Sequence, residues 1–376
     1  MSNFVNKVLL FPYYALLAAR NRAYDKGRRK TADYSSYGDR VISVGNIAMG
    51  GTGKTPHVEM FIRHFLEKGK TVAVVSRGYK RKTKEPLEVT VGSSALEVGD
   101  EPLQIKRKFP QVRVFVNKKR EETVEMLINP PLDAPVDYVI LDDAHQYRRL
   151  IPGRSIVLID YNRPVFKDNL FPFGRLRDLP EQIRRADTVI ITRSPAWLDE
   201  WQKEKIKAVN KVSHNQRLFF TKIDYCKPVK VFEEADGRFI YSQECILFTG
   251  IADPLELRNF LTTKYAAIYQ VKYPDHHQYT RRDLKALARL ARKYPAAVLL
   301  TTEKDAQRLN LVADACKPIA TRLFYVPIET RLIEGESDLL LYESNDRVGR
   351  SLERQSRPVN AERTEVYSAD LFGNIE

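Results

Sequence analysis

The sequence has 376 residues, too many for one typical hydrophobic core, and its 43% hydrophobic and 29% charged residues predict two soluble globular domains. Its three cysteines, Cys226, Cys245 and Cys316, are widely spaced, which excludes a disulfide framework, argues against a zinc site and fits a reducing cytoplasm. The net charge of +14 predicts an acidic partner: nucleic acid, an anionic membrane surface or a phosphorylated substrate.

The N-terminal segment, residues 1–30, is apolar and then basic. Residues 8–19 read VLLFPYYALLAA, and Arg or Lys occupies six of the positions 20–30. The apolar run is shorter than the roughly 20 residues that span a bilayer, and most of its positive charge follows it, unlike in a secretory signal. It predicts docking on an anionic membrane, with about 1 kcal/mol from each basic residue near the surface. A first helix packed on the domain, with a solvated basic end, is the alternative.

Residues 41–56, VISVGNIAMGGTGKTP, form the most informative motif. A β-branched strand leads into a glycine-rich loop, and apolar residues at helical spacing follow. Ala48 stands where the pattern G-x-x-x-x-G-K-[ST] has its first glycine, yet the flanks fit a phosphate-binding loop. Lys54 would reach the β- and γ-phosphates, and the Thr55 hydroxyl would bind Mg²⁺. The nucleotide-binding residues predicted here are Gly50, Gly51, Thr52, Gly53, Lys54 and Thr55. A glycine-rich turn without a ligand is the alternative.

Two series of apolar runs predict two α/β domains. The first series reads as buried strands of a mostly parallel sheet covered on both faces, a P-loop three-layer α/β/α domain over residues 31–220. Its strands are expected at 71–76, 112–116, 137–141, 155–159 and 188–192. The second series, at 246–250, 267–271, 297–302 and 323–328, predicts a smaller α/β/α domain over residues 236–345. Thr280 is expected to cap a helix in that domain.

The remaining segments complete the predicted organisation. Residues 221–235 begin with an extended run and are expected to link the two domains, with a short strand pair between them. Residues 346–376 are polar and rich in arginine, which predicts a disordered tail.

Ligands of open α/β sheets collect at the carboxyl ends of the strands, where several polar groups fall. Asp142 and Asp143 follow an apolar strand, as in sites where a strand delivers a carboxylate to Mg²⁺. Side chains of adjacent strand residues diverge, so one aspartate is expected to face the metal, and the sequence leaves open which. A solvated turn or a helix cap is the alternative for this pair. Residues 76–79, with Arg77, end another strand and offer cations for anionic ligands.

Two further polar groups carry no mechanism by themselves. Asp100 lies in a Gly-Asp-Glu-Pro turn that enters a helix, where a cap is the commoner role for an aspartate. His276 and His277 are adjacent, and such histidine pairs are more often structural than catalytic.

Taken in chain order, the motifs resemble those of tetraacyldisaccharide 4'-kinase, the lipid A 4'-kinase family. They are SVGNIAMGGTGKTP (43–56), SRGY (76–79), VGDEP (98–102), LDDAHQ (141–146), FPFGRLRDLP (171–180), TGIADP (249–254), YPDHH (273–277) and TTEKDA (301–306). The resemblance implies transfer of the ATP γ-phosphate, with Mg²⁺, to the 4'-hydroxyl of a tetraacyldisaccharide 1-phosphate in lipid A biosynthesis. It also implies a peripheral protein at the cytoplasmic face of the bacterial inner membrane, with its active site in a cleft between two domains. We expect a monomer that binds no nucleic acid.

The resemblance also assigns roles to individual residues. It implies that Asp100 is the catalytic base and that His276 orients it. Arg77, Tyr79 and Arg177 would contact the substrate or a phosphate, and Thr55 with Asp142 or Asp143 would bind the metal.

The sequence departs from the family pattern at two places. Asp178 and Leu179 replace Glu and Pro, which puts a metal-proximal role for that carboxylate in doubt. Ala144 and His145 replace Gly and Phe, and alanine argues against a positive φ at position 144. The altered segment predicts different local geometry with the same reaction.

Two other functions fit parts of the sequence. A regulatory GTPase or ATPase at the membrane is one, because residues 221–224, TKID, match the guanine-binding pattern [NT]-K-x-D; however, residues 142–145 lack the glycine of D-x-x-G. ATP should compete better than GTP if the protein is a kinase. A nucleic-acid-binding module is the other, and its affinity would fall steeply with salt. The sequence has no recognised reading helix for that role.

Overall fold

The computed structural model describes residues 10–79, 81–130 and 135–333. The predicted disordered tail, residues 346–376, and the first nine residues of the N-terminal segment lie outside the described residues. The strands are β1 Ala32–Asp33, β2 Val41–Gly45, β3 Val72–Ser76, β4 Leu87–Glu88, β5 Arg113–Val116, β6 Tyr138–Asp142, β7 Leu150–Ile151, β8 Arg154–Asp160, β9 Thr188–Thr192, β10 Arg217–Tyr225, β11 Val229–Lys230, β12 Glu244–Thr249, β13 Ala267–Lys272, β14 Val298–Thr302, β15 Leu323–Val326 and β16 Ile328–Leu332.

The α-helices alternate with these strands. They are α1 Phe11–Asp25, α2 Lys54–Glu67, α3 Ala95–Val98, α4 Asp100–Lys108, α5 Arg120–Ile128, α6 Glu200–Val209, α7 Leu255–Thr262, α8 Arg281–Lys293, α9 Glu303–Leu309 and α10 Ala313–Cys316. Short 3₁₀ helices occur at Ser35–Arg40, Val165–Lys167, Pro180–Arg185, Gly237–Tyr241, Asn310–Val312 and Ala320–Arg322.

Apart from a two-stranded parallel sheet of β1 and β7, the strands form a nine-stranded sheet and a five-stranded sheet. The larger has the order β16-β10-β9-β8-β2-β6-β3-β5-β4, and the smaller has the order β11-β15-β14-β12-β13. All pairs in both sheets are parallel except β10 with β16, β4 with β5 and β11 with β15. The predicted fold class, an α/β protein with a mostly parallel P-loop sheet and a second, smaller α/β layer structure, is confirmed.

The larger sheet is buried on both faces, which explains its continuous apolar strands. On one face, Ile42 and Val44 of β2 join a core with Phe61 of α2. On the other face, Val41 and Val139 pack in a core with the apolar side of α5. Successive side chains of these uninterrupted hydrophobic runs therefore point alternately into one core and the other.

The smaller sheet is also covered by helices. Thr280 caps α8 as predicted, accepting a hydrogen bond from the backbone of Asp283. Leu284 and Leu287 of α8 pack on one face of the sheet, and Leu257 of α7 packs on the other. The apolar spacing of α8 thus faces the sheet.

A pair of antiparallel strands joins the two sheets. The first part of β10 pairs with β9, and residues 221–225 then pair with residues 328–332 of β16. The predicted strand at 323–328 ends at Val326, because Pro327 has no N–H to continue it. The chain then returns to the larger sheet, although the sequence series placed residues 328–332 with the smaller domain. The predicted domain limits remain a prediction.

The N-terminal helix α1 has one packed side and one exposed apolar side. Leu17 lies in a core cluster with Leu176 and Leu179. Phe11 and Leu16 are each 66% exposed. Among the helices that the structure describes, none has the length and apolarity needed to cross a membrane. One side of α1 therefore packs on the domain, and the apolar side chains on its other side are exposed.

Gly45 at the end of β2 is expected to tolerate no side chain. A Cβ added there would lie 2.6 Å from the backbone nitrogen of His145, which cannot move without moving the chain after β6. Gly45→Ala should lower the free energy of unfolding by about 1–3 kcal/mol, as other overpacked cores do. Urea denaturation measures this. Gly237→Ala is the matched control, because a Cβ there meets nothing within 4 Å; equal midpoints for the two variants would contradict the prediction.

Candidate active site

The loop after β2 has the backbone of a phosphate-binding loop. Gly50 and Gly53 have φ angles of +95° and +80°, which glycine adopts without strain, and α2 begins directly after Gly53. Inside the loop, Asn46 donates a hydrogen bond to the Thr52 hydroxyl at 2.6 Å. The free N–H groups at the start of α2 favour an anion.

Ala48 fits the loop because its position requires no glycine here. It forms an isolated antiparallel bridge with Leu176, and the backbone of Met49 donates to the Arg175 carbonyl at 2.6 Å. The loop is thus braced by the segment at 175–176. Ala48 is not among the residues with positive φ, so the departure from the strict pattern costs no backbone strain.

Asp143 is the centre of a cluster of cations. Its carboxylate accepts two hydrogen bonds from Arg177, at 2.9 and 3.1 Å, and lies 3.8 Å from Lys54 Nζ. Arg177 also contacts the Asn46 side chain. Burial raises the pKa of Asp143, but Lys54 and Arg177 outweigh burial and lower it to about 2. Asp143 is therefore ionised, and it links the phosphate loop to Arg177.

Asp142 lies in a different environment. It is buried, its Oδ2 atom accepts a hydrogen bond from Ser76 Oγ at 3.2 Å, and its Oδ1 atom has no hydrogen-bond partner. Burial first, and then the charges of Glu101 and Asp143, raise its pKa. A cation at this place would relieve that repulsion and use the unpartnered oxygen.

Thr55 and the two aspartates fit a Mg²⁺ site. All three supply the hard oxygen ligands that Mg²⁺ prefers. Within the described ranges, no group of three or more His, Cys, Asp or Glu side chains could hold a metal. Mg²⁺ takes few protein ligands and keeps waters and phosphate oxygens.

Asp100 and His276, which are far apart in sequence, are brought together. Gly99, at φ +94°, is the N-cap of α4, and Asp100 is its first helical residue. The Asp100 carboxylate lies 3.9 Å from His276 Nδ1 and 3.3 Å from Arg308 Nε. Burial raises the pKa of Asp100, but His276 and Arg308 outweigh burial and hold it below its usual value. Asp100 is thus not a helix cap, the alternative that the sequence favoured.

The neighbouring histidine is structural. His277 Nε2 lies 3.0 Å from Asp283 Oδ2, and its ring stacks on Tyr273 at 4.6 Å between centroids. Tyr79 is 66% exposed, and its ring centroid lies 6.1 Å from that of His276. Arg77 is exposed at the end of β3. Of the two residues predicted to meet the substrate at 76–79, Tyr79 therefore lies beside His276.

The sequence analysis did not identify several basic residues that lie near these groups. Lys304 Nζ lies 2.7 Å from Glu101 Oε1, and Arg308 contacts Asp100. Arg193, with φ of +56°, pairs with Asp160 at 3.1 Å and points toward Gly51 of the phosphate loop. The motif TTEKDA contains Lys304 and precedes Arg308, so it is the sequence feature from which these two residues could have been identified. No sequence signal singled out Arg193.

The two departures from the family pattern have structural explanations. Asp178 is fully buried and accepts hydrogen bonds from Asn21 of α1 and from the backbone of Leu179, both at 2.8 Å. This carboxylate therefore holds the N-terminal helix. His145 is also buried, with Nε2 3.0 Å from the Gln182 carbonyl, and burial and then Arg185 lower its pKa to about 3.

The imidazole of His145 is thus a neutral group in the protein core. The positive φ of this segment, +48°, falls on Asp143, and Ala144 has none, as its identity predicts.

The sequence match to the guanine-binding pattern is not a nucleotide site. Residues 221–224 lie inside β10 and pair with β16. Thr221 is fully buried, with its hydroxyl 2.9 Å from His57 Nε2, and Lys222 pairs with Asp224 at 3.3 Å. A guanine-binding segment must present these side chains to a base, so the GTPase alternative is wrong here.

The phosphate loop, the carboxylates at the end of β6 and the surrounding cations define a P-loop phosphotransferase. A family model described as tetraacyldisaccharide-1-P 4'-kinase matches residues 5–343. The chain belongs to this family.

Similar proteins agree with the family model. The tetraacyldisaccharide 4'-kinase of Porphyromonas gingivalis strain W83 is 38% identical over 319 residues, 84% of this chain and 88% of that protein. The enzyme of the same name from Flavobacterium johnsoniae is 34% identical over 343 residues, 89% of this chain and 95% of that protein. The crystal structure of "apo" form LpxK from Aquifex aeolicus in complex with ATP superposes with a TM-score of 0.64 at 28% identity, covering 89% of this chain and 96% of that one.

Proposed function

We propose that this protein transfers the γ-phosphate of ATP to the 4'-hydroxyl of a tetraacyldisaccharide 1-phosphate, a step of lipid A biosynthesis. It is an ATP-dependent kinase that uses Mg²⁺, as its family implies. The strongest support is that the side chains of Asp100 and His276 lie close together. In the same protein, the Lys54 ammonium group at the start of α2 faces the Asp143 carboxylate. A phosphate loop and an acid-base pair are the two parts that phosphoryl transfer to a hydroxyl requires.

The nucleotide is held by the loop after β2. The N–H groups of residues 50–55 would surround the phosphates, and Lys54 would carry positive charge to the β- and γ-phosphates. Thr55, Asp142 and Asp143 would hold Mg²⁺, which when bound neutralises phosphate charge. Arg177, already hydrogen-bonded to Asp143, would contact a phosphate oxygen. These cations stabilise the charge that builds up as the phosphoryl group moves.

Asp100 would act as the base. Its carboxylate is held ionised by His276 and Arg308, so it can accept the proton of the 4'-hydroxyl as that oxygen attacks the phosphorus. His276 would keep the carboxylate oriented from the smaller sheet. Arg77 and Tyr79 would contact the acceptor, because the exposed Tyr79 lies beside His276 and Arg77 ends the adjoining strand.

The acceptor is a lipid, and α1 offers a surface for a membrane. Phe11 and Leu16 expose their side chains, and the basic residues 26–30 after the helix are exposed as well. An apolar surface beside a cationic one suits the headgroup region of an anionic leaflet. We infer a peripheral monomer at the cytoplasmic face of the inner membrane.

The double substitution Phe11→Ser with Leu16→Ser should weaken membrane binding by at least about tenfold, since burying such a side chain contributes about 1.5–3 kcal/mol. Sedimentation with anionic phospholipid vesicles measures this. Tyr241→Ser with Leu255→Ser is the control, because these residues are 86% and 54% exposed and lie on the segments that flank β12 of the smaller sheet. Equal sedimentation of the two double variants would rule out docking through α1.

The activity itself is tested with radiolabelled γ-phosphate. Transfer from ATP to a purified tetraacyldisaccharide 1-phosphate in detergent micelles is expected only with lipid and Mg²⁺ present. Unlabelled ATP should compete better than GTP. Mg²⁺-ATP binding without lipid phosphorylation would refute the acceptor assignment and leave the nucleotide site intact.

A further inference from the structure

Arg308 carries a guanidinium that the chemistry above does not use. It lies in α9, beside the smaller sheet, and is 1% exposed. A buried charge is costly unless charged and polar partners surround it, so the contacts of this side chain indicate what it holds in place.

Two of its contacts fix the guanidinium from within the smaller sheet. Nη1 donates to the Gly250 carbonyl and to Asp305 Oδ1, each at 3.0 Å. Asp305, itself fully buried, accepts from the Gly250 N–H at 3.0 Å and from the Thr302 hydroxyl at 2.7 Å. The forked guanidinium group of Arg308 is therefore anchored to the end of β12 and the start of α9.

The other side of the guanidinium meets the acid-base pair. Nε donates to Asp100 Oδ2 at 3.3 Å, and Nη2 lies 3.3 Å from His276 Nδ1. Arginine can only donate, so a hydrogen bond between these two nitrogens requires that Nδ1 of His276 carries no proton. Asp100 Oδ2 lies 3.9 Å from Nδ1, beyond direct hydrogen-bond distance. Arg308 therefore contacts both groups more closely than they contact each other.

The backbone of His276 is held by the same group of contacts. Its φ of +60° is uncommon for a residue with a side chain, and strain of this kind persists where the surroundings hold it. The His276 N–H donates to the same Gly250 carbonyl that accepts from Arg308, at 3.0 Å. One carbonyl and one guanidinium thus fix both the main chain and the ring of His276.

We propose that Arg308 is a positioning residue for phosphoryl transfer, which orients the Asp100 carboxylate and holds His276 in the tautomer with its proton on Nε2. This inference rests on the proposed roles of Asp100 and His276. Arg308 touches neither substrate, because it is buried behind the two side chains. The charge of Arg308 also contributes to the low pKa of Asp100.

Kinetics of two variants test the proposal. Arg308→Lys keeps the charge but loses the fork, and it should lower kcat by about 10²-fold with little change in the KM for ATP, because misplaced catalytic groups have such effects. Arg308→Gln removes the charge as well. The groups facing Asp100 are Arg308 from α9 and His276 from the loop after β13, with Asp275 3.9 Å from His276 Nε2. Losing the Arg308 charge raises the pKa of Asp100, so the acidic limb of the pH–rate profile should move to higher pH in Arg308→Gln but not in Arg308→Lys.

The matched control is Arg322→Lys. Arg322 donates to backbone carbonyls at the C-terminal end of α8, including those of Ala291 and Tyr294, and none of its hydrogen bonds is to Asp100, His276 or Arg308. It should lose stability without a change in kcat. Equal kcat losses in Arg322→Lys and Arg308→Lys, with unchanged pH profiles, would reduce Arg308 to a structural role.

A spectroscopic measurement separates this proposal from the activity. Nitrogen-15 NMR of histidine-labelled protein, with His276 assigned from the His276→Gln spectrum, should show an unprotonated Nδ1 in the wild type. Arg308→Gln should show mixed tautomers. A protonated Nδ1 in the folded wild type would overturn the proposal even if the variants fail to fold. An unprotonated Nδ1 in a protein without lipid kinase activity would support the clamp while refuting the proposed reaction.

Discussion

Asp100→Asn is expected to lower kcat for lipid phosphorylation by about 10²–10⁴-fold, the range that general-base catalysis contributes. Asparagine keeps the shape of the side chain and can still accept from Arg308, but its amide cannot take the proton of the 4'-hydroxyl. The KM for ATP should stay close to that of the wild type, since Asp100 lies at the start of α4 and not in the phosphate loop. The measurement is steady-state transfer of labelled γ-phosphate at saturating lipid.

The control for Asp100→Asn is Asp314→Asn. Asp314 is an exposed aspartate that pairs with Lys317 on the surface, where the same chemical change should leave kcat unchanged. An Asp100→Asn enzyme with wild-type kcat and a wild-type pH profile would show that another group accepts the proton.

Lys54→Ala is expected to lower kcat/KM by about 10²–10³-fold, the loss seen when one preorganised group that stabilises developing charge is removed. Lys54 begins α2, its side chain is 15% exposed, and its ammonium group faces Asp143. The substitution removes the charge aimed at the phosphates and leaves Asp143 with Arg177 as its close partner. Calorimetric titration with Mg²⁺-ATP should show weaker binding as well.

Lys68→Ala provides the matched change at the other end of α2. Lys68 is the exposed C-cap residue of that helix, and its loss should alter neither activity nor nucleotide binding. Wild-type ATP affinity in Lys54→Ala would mean that the loop after β2 does not hold the phosphates.

Strained backbone accompanies two of the proposed site residues. Asp143 has φ of +48° and His276 has φ of +60°, although neither is glycine. Such conformations persist where surrounding contacts hold them, here Lys54 and Arg177 around Asp143, and Arg308 at His276. Both residues therefore have their positions set by charged neighbours.

Local sequence predicted the elements whose signals are local. The phosphate loop, the apolar strands and the cap of α8 were all predictable, because glycine conformation, strand burial and helix capping depend on residues a few positions apart. The end of β15 at Val326 was mispredicted by two residues, and the return of β16 to the larger sheet was not foreseen. Strand partners depend on the whole sheet.

Side-chain direction was the part of the site that sequence could not supply. Asp178 binds Asn21, although the sequence analysis considered its carboxylate in relation to the metal. His145 is a buried neutral group, although the sequence analysis treated its replacement of Phe as a change in the geometry of the site. Each outcome depends on which element packs above the residue. The meeting of Asp100 with His276 was predicted from the family resemblance and not from composition or spacing.

The sequence by itself determined the class of the protein, because a glycine-rich loop between a buried strand and a helix can be recognised from neighbouring residues. Tertiary structure decided how Asp100 and His276, the proposed acid-base pair, are held. Asp100, His276 and Arg308 come from three separate segments. The 3.3 Å contact between Arg308 and His276 forms beside the smaller sheet, and the 3.3 Å contact between Arg308 and Asp100 joins that part of the chain to the part with the larger sheet. Hydrogen bonds act over a few ångströms in space, whereas a sequence records only distance along the chain.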